Sequence, residues 1–389
     1  MDSQNLHLAC LTPEHEVFRQ SVRRFVNERI KPVANQWELD GHMPRDVLKE
    51  MGALGWLGLR YPQEYGGSAW DTLASVVLAE ELGRSTFGGV SITVLTQTDT
   101  ASPHLMSAGT PAQKQRYLPG VIRGDLLMAI AMTETEAGSD ISGLRTRAVR
   151  EGHEWVLNGS KMFITNAVYA DLYVVAVRTN PDVKASRGIS LMLVERGTPG
   201  FTVGCELDKL GWRSSDTAEL VFVDCRIPAE NLLGDVDAGF YTLMKNVQNE
   251  RLVLAAQAIG EAAAALELTL VQVRQRQAFG DSLWHKQTIR QRLAMLFARL
   301  SAARHLVYNT AWAHDQGHDC VREVSMIKAL CGELVNEVMY ECQQFHGGYG
   351  LMRGSAIERL FRDARVHAIG GGATEVMLEE VAKRMPWGL

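Results

Sequence analysis

Three patterns of apolar and polar residues follow one another along the 389-residue chain. Up to about residue 128, apolar residues recur at helical spacing between glycines and prolines, and Thr12-Pro13 has the form of an N-cap followed by proline at the first helical position. Further helices are predicted from Pro44 to Leu54 and from Leu73 to Leu82. We therefore expect a helical N-terminal domain over residues 1–128.

The period changes after residue 128, where short β-branched runs alternate with Gly, Pro, Asn and Asp. Asn158-Gly159 predicts a two-residue hairpin turn. No helical pattern of about 10 to 15 residues separates the runs, which disfavours a parallel sheet and a Rossmann domain. We expect a middle domain over residues 129–237 with an antiparallel sheet or small barrel. Its predicted strands are Trp155 to Leu157, Leu172 to Val177, Ile189 to Val194 and Leu220 to Val223.

The last part of the chain is again helical, with long stretches rich in Ala and Leu. Such stretches are typical of a helix bundle. The predicted fold class is therefore α+β, with helical domains on either side of the β domain and a four-helix bundle over residues 238–389. The predicted helices cover residues 240–275, 287–315, 321–345, 355–366 and 375–385.

Composition and charge narrow the class of protein. Apolar residues make up 46% and charged residues 22%, as in ordinary globular proteins. The net charge of −5 gives no basic excess for nucleic acid or for an anionic membrane. Six scattered cysteines without a CxxC pair indicate neither a zinc site nor a disulfide framework, so we expect reduced, mostly packing residues and no metal.

Two observations bear on location in the cell. The first residues, Met1 to Gln4, lack the basic region of a secretory signal. The least polar stretch, Leu252 to Val273, contains Glu261 and Glu267 and is typical of a buried helix rather than a membrane span. A cytoplasmic protein is expected.

Glu250 is the clearest candidate for chemistry. On a helix it is in line with the apolar residues Leu243, Val247 and Leu254. An ionised carboxylate there is costly unless it is paired, so we expect its pKa to rise, which suits a general base. A structural ion pair, for instance with Arg251, stays open, although adjacent residues do not share a helix face.

Four further segments have both a functional and a plain interpretation. Thr133 to Asp140 is a ligand-approaching loop or a polar turn. Gly370 to Gly372, before a predicted N-cap at Thr374, offers amide donors to a ligand or is a simple loop. Gln343 to Gly350 lacks the spacing of a dinucleotide fingerprint and is a corner near a bulky group or a helix C-cap. Arg276 binds phosphate or complements a helix dipole.

Several enzyme classes have no support in the sequence. It contains no HExxH pair, no GxSxG elbow and no Walker glycine-lysine loop. These motifs carry the chemistry of metalloproteases, serine hydrolases and P-loop proteins. The candidates above therefore have to be explained by another chemistry.

Taken together, these segments resemble the acyl-CoA dehydrogenase family of flavoproteins over nearly the whole chain. The order and spacing of four motifs carry the resemblance. The family's Thr-Glu-Pro-x-x-Gly-Ser-Asp signature is similar to Thr133 to Asp140, with Thr135 in place of the usual proline. The other three motifs match Trp155, Gly159, Lys161, Phe163, Ile164, Thr165 and Asn166; Arg276, Phe279, Gly280 and Gln287; and Gln344, Gly347, Gly348 and Gly350.

The resemblance implies FAD bound between the β domain and the helical domains. Met132 and Thr133 would contact the isoalloxazine, Phe163 and Thr165 would lie near its N5 edge, and Ser139 would lie near the substrate thioester. In the family, the arginine motif and the glutamine-glycine corner reach the cofactor of a neighbouring subunit. A homo-oligomer, most simply a tetramer built as a pair of dimers, is therefore implied through Arg276, Phe279, Gln287, Gln344 and Gly348.

The resemblance also assigns the catalytic base. Many members carry a glutamate near the C-terminus where this chain has Gly371, and glycine cannot accept a proton. A subgroup that includes isovaleryl-CoA and long-chain dehydrogenases supplies the glutamate from a C-domain helix, in a Glu-Arg pair that resembles Glu250-Arg251. We therefore interpret Glu250 as the base, Arg251 as a residue lining the substrate site, and Gly371 as an amide donor to the thioester carbonyl.

The implied reaction is FAD-dependent α,β-dehydrogenation of an acyl-CoA to a trans-2-enoyl-CoA, as in β-oxidation of fatty acids. Glu250 takes the α proton, flavin N5 accepts the β hydride, and an electron-transfer flavoprotein receives the electrons. The sequence leaves the acyl group open, and a substrate bound to an acyl-carrier protein or an oxidase or monooxygenase on the same fold remain alternatives. A nucleic-acid-associated relative is disfavoured, because residues 240–389 hold 17 Lys and Arg against 15 Asp and Glu.

Overall fold

The structure of the N-terminal region is helical, as predicted. The computed structural model describes residues 8–385, so the expectation about Met1 to Gln4 lies outside the described residues. Thr12 caps the first helix, since its hydroxyl accepts from the N–H of His15 at 3.5 Å. The helices are α1 (Pro13–Phe25), α2 (Ala34–Asp40), α3 (Arg45–Ala53), α4 (Thr72–Gly83), α5 (Gly88–Leu95), α6 (Ser102–Ala108) and α7 (Pro111–Arg123), with π-helical turns at Val26–Ile30 and Thr96–Ala101.

A sheet follows the seventh helix, and it contains all four predicted strand runs. Its strands are β1 (Met128–Ala131), β2 (Arg147–Glu151), β3 (Glu154–Thr165), β4 (Leu172–Arg178), β5 (Ile189–Glu195), β6 (Phe201–Glu206), β7 (Thr217–Pro228) and β8 (Leu232–Leu233). The order is β6-β7-β3-β2-β4-β5-β8, with β1 beside β4. The neighbours pair antiparallel except that β1 and β2 run parallel to β4, so the sheet is mixed rather than purely antiparallel.

The predicted hairpin at Asn158-Gly159 is wrong. These residues lie inside β3, where the pairing with β7 shifts between Leu157 and Gly159. A β-carbon on Gly159 would lie 2.7 Å from Cα of Thr146, so glycine is required there by a close backbone approach in a β-bulge. The chain turns instead at Gly152, between β2 and β3.

The C-terminal part is helical, as predicted. Its long helices α8, α9 and α10 pack on one another, and the shorter α11 and α12 pack on α10. Thr374, the predicted N-cap, is instead the first residue of its helix, and the N-cap is Ala373. The hydroxyl of Thr374 donates to Glu333. The elements are α8 (Gly239–Gln275), β9 (Gln277–Ala278), β10 (Asp281–Ser282), α9 (Gln287–Asp315), α10 (Val321–His346), α11 (Ala356–Ala364) and α12 (Thr374–Ala382).

Helix α8 forms the centre of this region. Among the described residues it is the one helix long and apolar enough to cross a bilayer by length and composition, and 83% of its most apolar window is buried inside the fold. All six cysteines are free thiols, and four of them are buried. The expectations of a buried helix and of reduced cysteines agree with this arrangement.

A buried polar cluster joins the N-terminal and C-terminal helices. The fully buried Arg19 of α1 donates to Glu80 of α4 at 2.7 Å and to the hydroxyl of Tyr308 of α9 at 2.7 Å. Arg304 of α9 also donates to Glu80, at 2.7 Å. The first and last thirds of the chain therefore share one charged contact, which we call the Arg19 cluster.

Candidate active site

Glu250 and Gly371, which the sequence places 121 residues apart, lie side by side. A β-carbon on Gly371 would lie 3.6 Å from Oε1 of Glu250 and 2.3 Å from Cδ1 of Leu254. Gly371 has φ +64°, a left-handed conformation in which side chains are disfavoured. Leu254 and the positive φ therefore disfavour any larger residue at Gly371, and the backbone of the glycine loop lies next to the carboxylate.

The surroundings of Glu250 raise its pKa. Burial removes water from the carboxylate and raises the pKa, while the nearby positive charges of Arg251 and Lys328 act in the opposite direction. Among residues 8–385, no ion pair or hydrogen bond holds this carboxylate. A structural pair with Arg251, the alternative to a general base, is therefore not formed in the described part of the chain.

Arg251 faces the same glycine loop. A β-carbon on Gly372 would lie 3.3 Å from Nε of Arg251. Nε is buried and has no hydrogen-bond partner within the described residues. Burial also lowers the pKa of Arg251, against the effect of Glu250. Arg251 thus brings a donor without an internal acceptor to the edge of the site.

Lys328 of α10 is a member of this cluster that the sequence reasoning missed. Its side chain is almost fully buried, and Nζ donates to the backbone carbonyls of His367 at 2.6 Å and Gly372 at 3.1 Å. The signal was present in the sequence, because Lys328 continues the apolar stripe of Val324 and Cys331 along its helix. A lysine in a buried stripe requires polar partners, which here are the two carbonyls.

The glycine loop offers a free donor beside Glu250. Its first two amides, those of Ile369 and Gly370, both bond to the carbonyl of Val366 at 2.8 Å. Within residues 8–385, the N–H of Gly371 donates to no acceptor. An amide in this position can bind an oxygen atom of a ligand that contacts Glu250.

Met132 and Thr133 lie beside the middle of β3. The N–H of Met162 donates to the carbonyl of Thr133 at 2.9 Å, and Nζ of Lys161 donates to the carbonyl of Met132 at 3.1 Å. Lys161 is fully buried and also contacts Glu134 at 2.8 Å. This buried pair fixes the backbone of residues 132–133 and leaves their side chains partly exposed.

Phe163 and Thr165 lie at the end of the same strand. Phe163 has φ +62°, at an irregularity in the β3–β7 pairing, and its side chain is 61% exposed. An exposed aromatic ring next to the partly exposed Met132, Thr133 and Thr165 makes a surface suited to a flat, aromatic ligand. These four residues therefore fit the isoalloxazine ring that the sequence implied.

The π-helical turn Thr96–Ala101 links this surface to the Glu250 helix. Oε1 of Gln97 accepts from the N–H of Met128, the first residue of β1, at 2.7 Å. Nδ2 of Asn249, the neighbour of Glu250, donates to Oδ1 of Asp99 at 3.0 Å. The two halves of the candidate site are thus held against a common buried segment.

Ser139 has a less defined place. It is exposed in the loop after β1, and Asp140 beside it caps a short 3-10 turn by accepting from Ser142 at 2.9 Å. Among the described residues, its hydroxyl has no hydrogen-bond partner, so no contact joins Ser139 to the Glu250 cluster. Its proximity to a thioester stays a prediction.

A second concave surface lies at the other end of α8. It is a cleft of about 530 Å³ that brings together Arg276, Gln344 and Gly348. Phe279 and Gln287 do not line it, because Phe279 is 96% exposed on the β9–β10 hairpin and Gln287 is exposed at the start of α9. The remaining lining residues are Gln272, Leu283, Ile289, Phe345, His346, Gly347 and Tyr349.

This outer cleft fits part of a nucleotide. Arg276 can bind a phosphate with two parallel N–H bonds, and Nδ1 of His346 is buried without a partner in the described structure. Glu250 and Arg276 are 26 residues apart on or just beyond one helix, or about 39 Å at 1.5 Å per residue. One subunit therefore presents the Glu250 site and the outer cleft too far apart for both to hold the same part of one cofactor.

No metal site accompanies these two surfaces in the described structure. Among residues 8–385, no group of three or more His, Cys, Asp and Glu side chains could hold a metal ion. The polar groups that converge on Glu250 are instead a lysine, an arginine and a backbone amide. Such groups bind and polarise an anionic or carbonyl oxygen.

Family models match almost the entire chain. The models for the N-terminal, middle and C-terminal domains of acyl-CoA dehydrogenases match residues 12–125, 129–225 and 237–386. A long-chain specific acyl-CoA dehydrogenase of Mus musculus is 40% identical over 373 residues, which cover 96% of this chain and 86% of the mouse protein. An isovaleryl-CoA dehydrogenase of Pongo abelii is 37% identical over 369 residues, which cover 94% of this chain and 87% of that protein.

A solved structure agrees with these relatives. The crystal structure of an acyl-CoA dehydrogenase from Geobacillus kaustophilus superposes with a TM-score of 0.93 and 42% sequence identity. The match covers 97% of this chain and 99% of that one. The arrangement of all three regions is therefore shared, and so is the region that contains Glu250 and Gly371.

Proposed function

Because the chain belongs to the acyl-CoA dehydrogenase family, we propose that it oxidises an acyl-CoA thioester between its α and β carbons with Glu250 as the base. Family membership makes the protein an oxidoreductase and FAD its cofactor. The observation that carries the more specific proposal is the contact between Glu250 and the Gly371 loop. The proximity of a carboxylate and a backbone amide without an acceptor in the described structure supports the roles of proton acceptor and donor.

Glu250 removes the proton from the α carbon. Its raised pKa brings the carboxylate closer to the basicity needed to take a weakly acidic C–H proton near neutral pH. Arg251 and Lys328 keep part of the population ionised, since both lower that pKa. Activity therefore requires a pH above the pKa of Glu250 and falls as the pH drops through it.

The amide of Gly371 stabilises the charge that develops on the thioester oxygen. When the α proton leaves, negative charge moves from the α carbon to the carbonyl oxygen, and a preorganised donor in a dry site lowers the barrier. Gly371 supplies this donor at a place where a side chain would displace Leu254. When bound, FAD supplies the acceptor for the hydride that leaves the β carbon, so that a trans-2-enoyl thioester forms.

Met132, Thr133, Phe163 and Thr165 form the proposed surface for the flavin ring. The outer cleft, with Arg276, Gln344 and Gly348, receives the cofactor of a second copy of the chain. The separation of about 39 Å along α8 supports this division. The proposed assembly is a tetramer built as a pair of dimers, and the proposed electron acceptor is an electron-transfer flavoprotein.

Sequence identity does not distinguish between possible acyl groups, because the long-chain and isovaleryl-CoA relatives are almost equally similar, at 40% and 37% identity. We therefore propose a saturated acyl-CoA without assigning its length or branching. An anaerobic panel of straight and branched acyl-CoAs, with bleaching of the FAD absorbance as the signal, identifies the substrate. If no acyl-CoA in this panel bleached the bound FAD, the proposed function would be contradicted.

The decisive variant is Glu250→Gln, which keeps the shape of the side chain and removes the base. We expect the purified protein to retain FAD and its melting temperature while the rate of bleaching falls by at least about 10²- to 10⁴-fold. Glu267→Gln, on the exposed end of the same helix, is the matched control and should keep the wild-type rate. Substantial activity in Glu250→Gln would assign the base to another residue.

A further inference from the structure

The buried side chain of Lys328 lies beside Gly371 and near Glu250. Nζ donates to the carbonyl of His367 at 2.6 Å and to that of Gly372 at 3.1 Å, so it spans the segment that carries Gly371. Cε of the same side chain lies 3.6 Å from the β-carbon position of Gly371, the distance at which Oε1 of Glu250 also lies. Lys328 therefore contacts the backbone on both sides of Gly371 from a buried position.

We propose that Lys328 is a positioning residue, which holds the Gly371 amide toward the substrate carbonyl and whose charge tunes Glu250. This inference rests on the proposed function. A purely structural lysine needs only its two hydrogen bonds, whereas a tuning lysine also needs its charge near the carboxylate. The two roles can be separated by substitutions that remove the hydrogen bonds and the charge in turn.

The geometry explains why one lysine can hold this loop. The amides of Ile369 and Gly370 are fixed by Val366, but Gly371 and Gly372 both have positive φ and no side chain to anchor them. Each glycine leaves the backbone more conformational freedom than another residue would. The bonds from Nζ to the carbonyls on either side of Gly371 restrict that freedom. An amide donor must be fixed in this way to stabilise charge without reorganising.

Few other titratable groups surround the ammonium group of Lys328. Glu250 and Arg251 face it from α8, and Cys331 faces it from its own helix. The imidazole of His367 is turned away toward Glu261, at 2.9 Å, so only the carbonyl of His367 faces the lysine. Across the loop, α12 presents the apolar Met377 to Gly372.

These neighbours determine the titration of the lysine. Burial and the charge of Arg251 lower the pKa of Lys328 to about 8, against the effect of Glu250. The ammonium form is therefore present below about pH 8 and is lost above it. In the same range the positive charge of Lys328 lowers the pKa of Glu250. Loss of the charge must then raise the pKa of the base.

The test compares Lys328→Met, Lys328→Gln and Lys328→Arg with the wild-type holoenzyme, by the pH dependence of kcat and kcat/KM for an acyl-CoA that bleaches it. Methionine removes both hydrogen bonds and charge, glutamine keeps a donor without charge, and arginine keeps both. Lys245→Met removes one positive charge at an exposed position of α8 and is the control.

We expect kcat to fall by about 10²-fold in Lys328→Met, the cost of misplacing a reacting group by about 1 Å, with little change in KM. In Lys328→Met and Lys328→Gln the acid limb of kcat/KM should move to higher pH. Lys328→Arg should restore most of kcat and keep the acid limb near its wild-type pH, since a guanidinium stays charged.

Two results would overturn the inference while leaving the proposed function intact. One is a wild-type acid limb in Lys328→Gln, which would make the lysine only structural. The other is a wild-type kcat in Lys328→Met with FAD and melting temperature retained. Failure of the wild-type protein itself to be bleached by acyl-CoA would instead contradict the proposed function, so the two failures are distinguishable.

Discussion

The two glycine corners of the C-terminal region, Gly347–Gly348 and Gly371–Gly372, differ in what a side chain would meet there. At Gly371 and Gly372, added β-carbons would lie 2.3 Å from Leu254 and 2.8 Å from Met377. At Gly347 and Gly348, no atom of the described structure lies within 4 Å of the added carbon. The inner corner is therefore glycine because of the protein's own packing beside Glu250.

The outer corner needs a different explanation. Gly348 has no positive φ and has open space around it, so an alanine would fit this chain. Gly347 has φ +58°, which itself favours glycine, but a requirement for glycine at position 348 can come only from something that approaches from outside. Two similar glycine motifs can therefore serve an internal catalytic loop in one place and an external ligand in another, and substitutions at each corner separate the two roles.

The largest effect is expected at the inner corner. Gly371→Ala puts a methyl group against Leu254 and beside Glu250, in a backbone conformation that disfavours alanine. We expect kcat/KM for acyl-CoA to fall by about 10²- to 10³-fold, the range for loss of one oxyanion donor. Stopped-flow bleaching of FAD measures this loss.

The matched control for that variant is Gly370→Ala, whose β-carbon would make ordinary contact with Val366 at 3.5 Å. Because this contact needs no rearrangement and position 371 keeps its glycine, kcat/KM should stay close to the wild-type value. Equal rates for Gly371→Ala and the wild type would show that the inner corner does not contact the reacting atoms and has no catalytic role.

At the outer corner we expect a smaller effect on a different quantity. Gly348→Ala should leave the melting temperature of the FAD-free chain unchanged, because the added methyl group meets open space in this chain. It should weaken FAD retention by about tenfold, within the about 1 to 3 kcal/mol that overpacking costs, because the methyl group meets the cofactor of a second copy. FAD release on dilution and the mass by light scattering are the measurements.

Gly350→Ala is the contrasting variant at the same corner, because its β-carbon would lie 2.9 Å from the carbonyl of Gln343. This overpacking should lower the stability of the FAD-free chain itself, by about 1 to 3 kcal/mol. If Gly348→Ala also destabilised the FAD-free chain, the space at Gly348 would be filled by the protein and not by a ligand.

The smallest effect is expected on the β domain, where the flavin end of the cofactor is proposed to bind. Phe163→Leu replaces an exposed ring and should weaken FAD binding by about 2- to 10-fold, the value of an aromatic pair. Val223→Ala, 63% exposed on β7, is the control. Unchanged FAD affinity in Phe163→Leu would remove this surface from the proposed flavin site.

The helices were predictable from the sequence because their signals are local. The spacing of apolar residues and the Thr12-Pro13 cap give α1, and the long Ala- and Leu-rich stretches give α8 to α10. The strand pairing was not predictable in the same way. Asn158-Gly159 lies at a bulge where the backbone of Thr146 approaches Gly159 closely, and a local dipeptide pattern does not reveal that approach. Strand β1 runs parallel to β4, although no local pattern specifies its partner.

The candidate site likewise has a part that local sequence patterns predict and a part that depends on long-range packing. The apolar stripe on α8 singled out Glu250 without any knowledge of its partners, whereas its proximity to Gly371 depends on how two segments far apart in sequence pack. Lys328 escaped notice because a buried lysine shows its role only through the two carbonyls it reaches. The outer cleft likewise needed the fold to separate Arg276 and Gln344 from Phe279 and Gln287.

The Arg19 cluster has a consequence for the way this chain is made. The partner of Arg19 on α9, Tyr308, is synthesised 289 residues later, which takes roughly 15 to 60 s at about 5 to 20 residues per second. Until then Arg19 and Glu80 can pair with each other, but they lack the hydroxyl of Tyr308 and the guanidinium of Arg304. The N-terminal helices therefore stay incomplete on the ribosome until most of the chain has emerged, and the nascent protein depends on whatever shields their apolar faces during that interval.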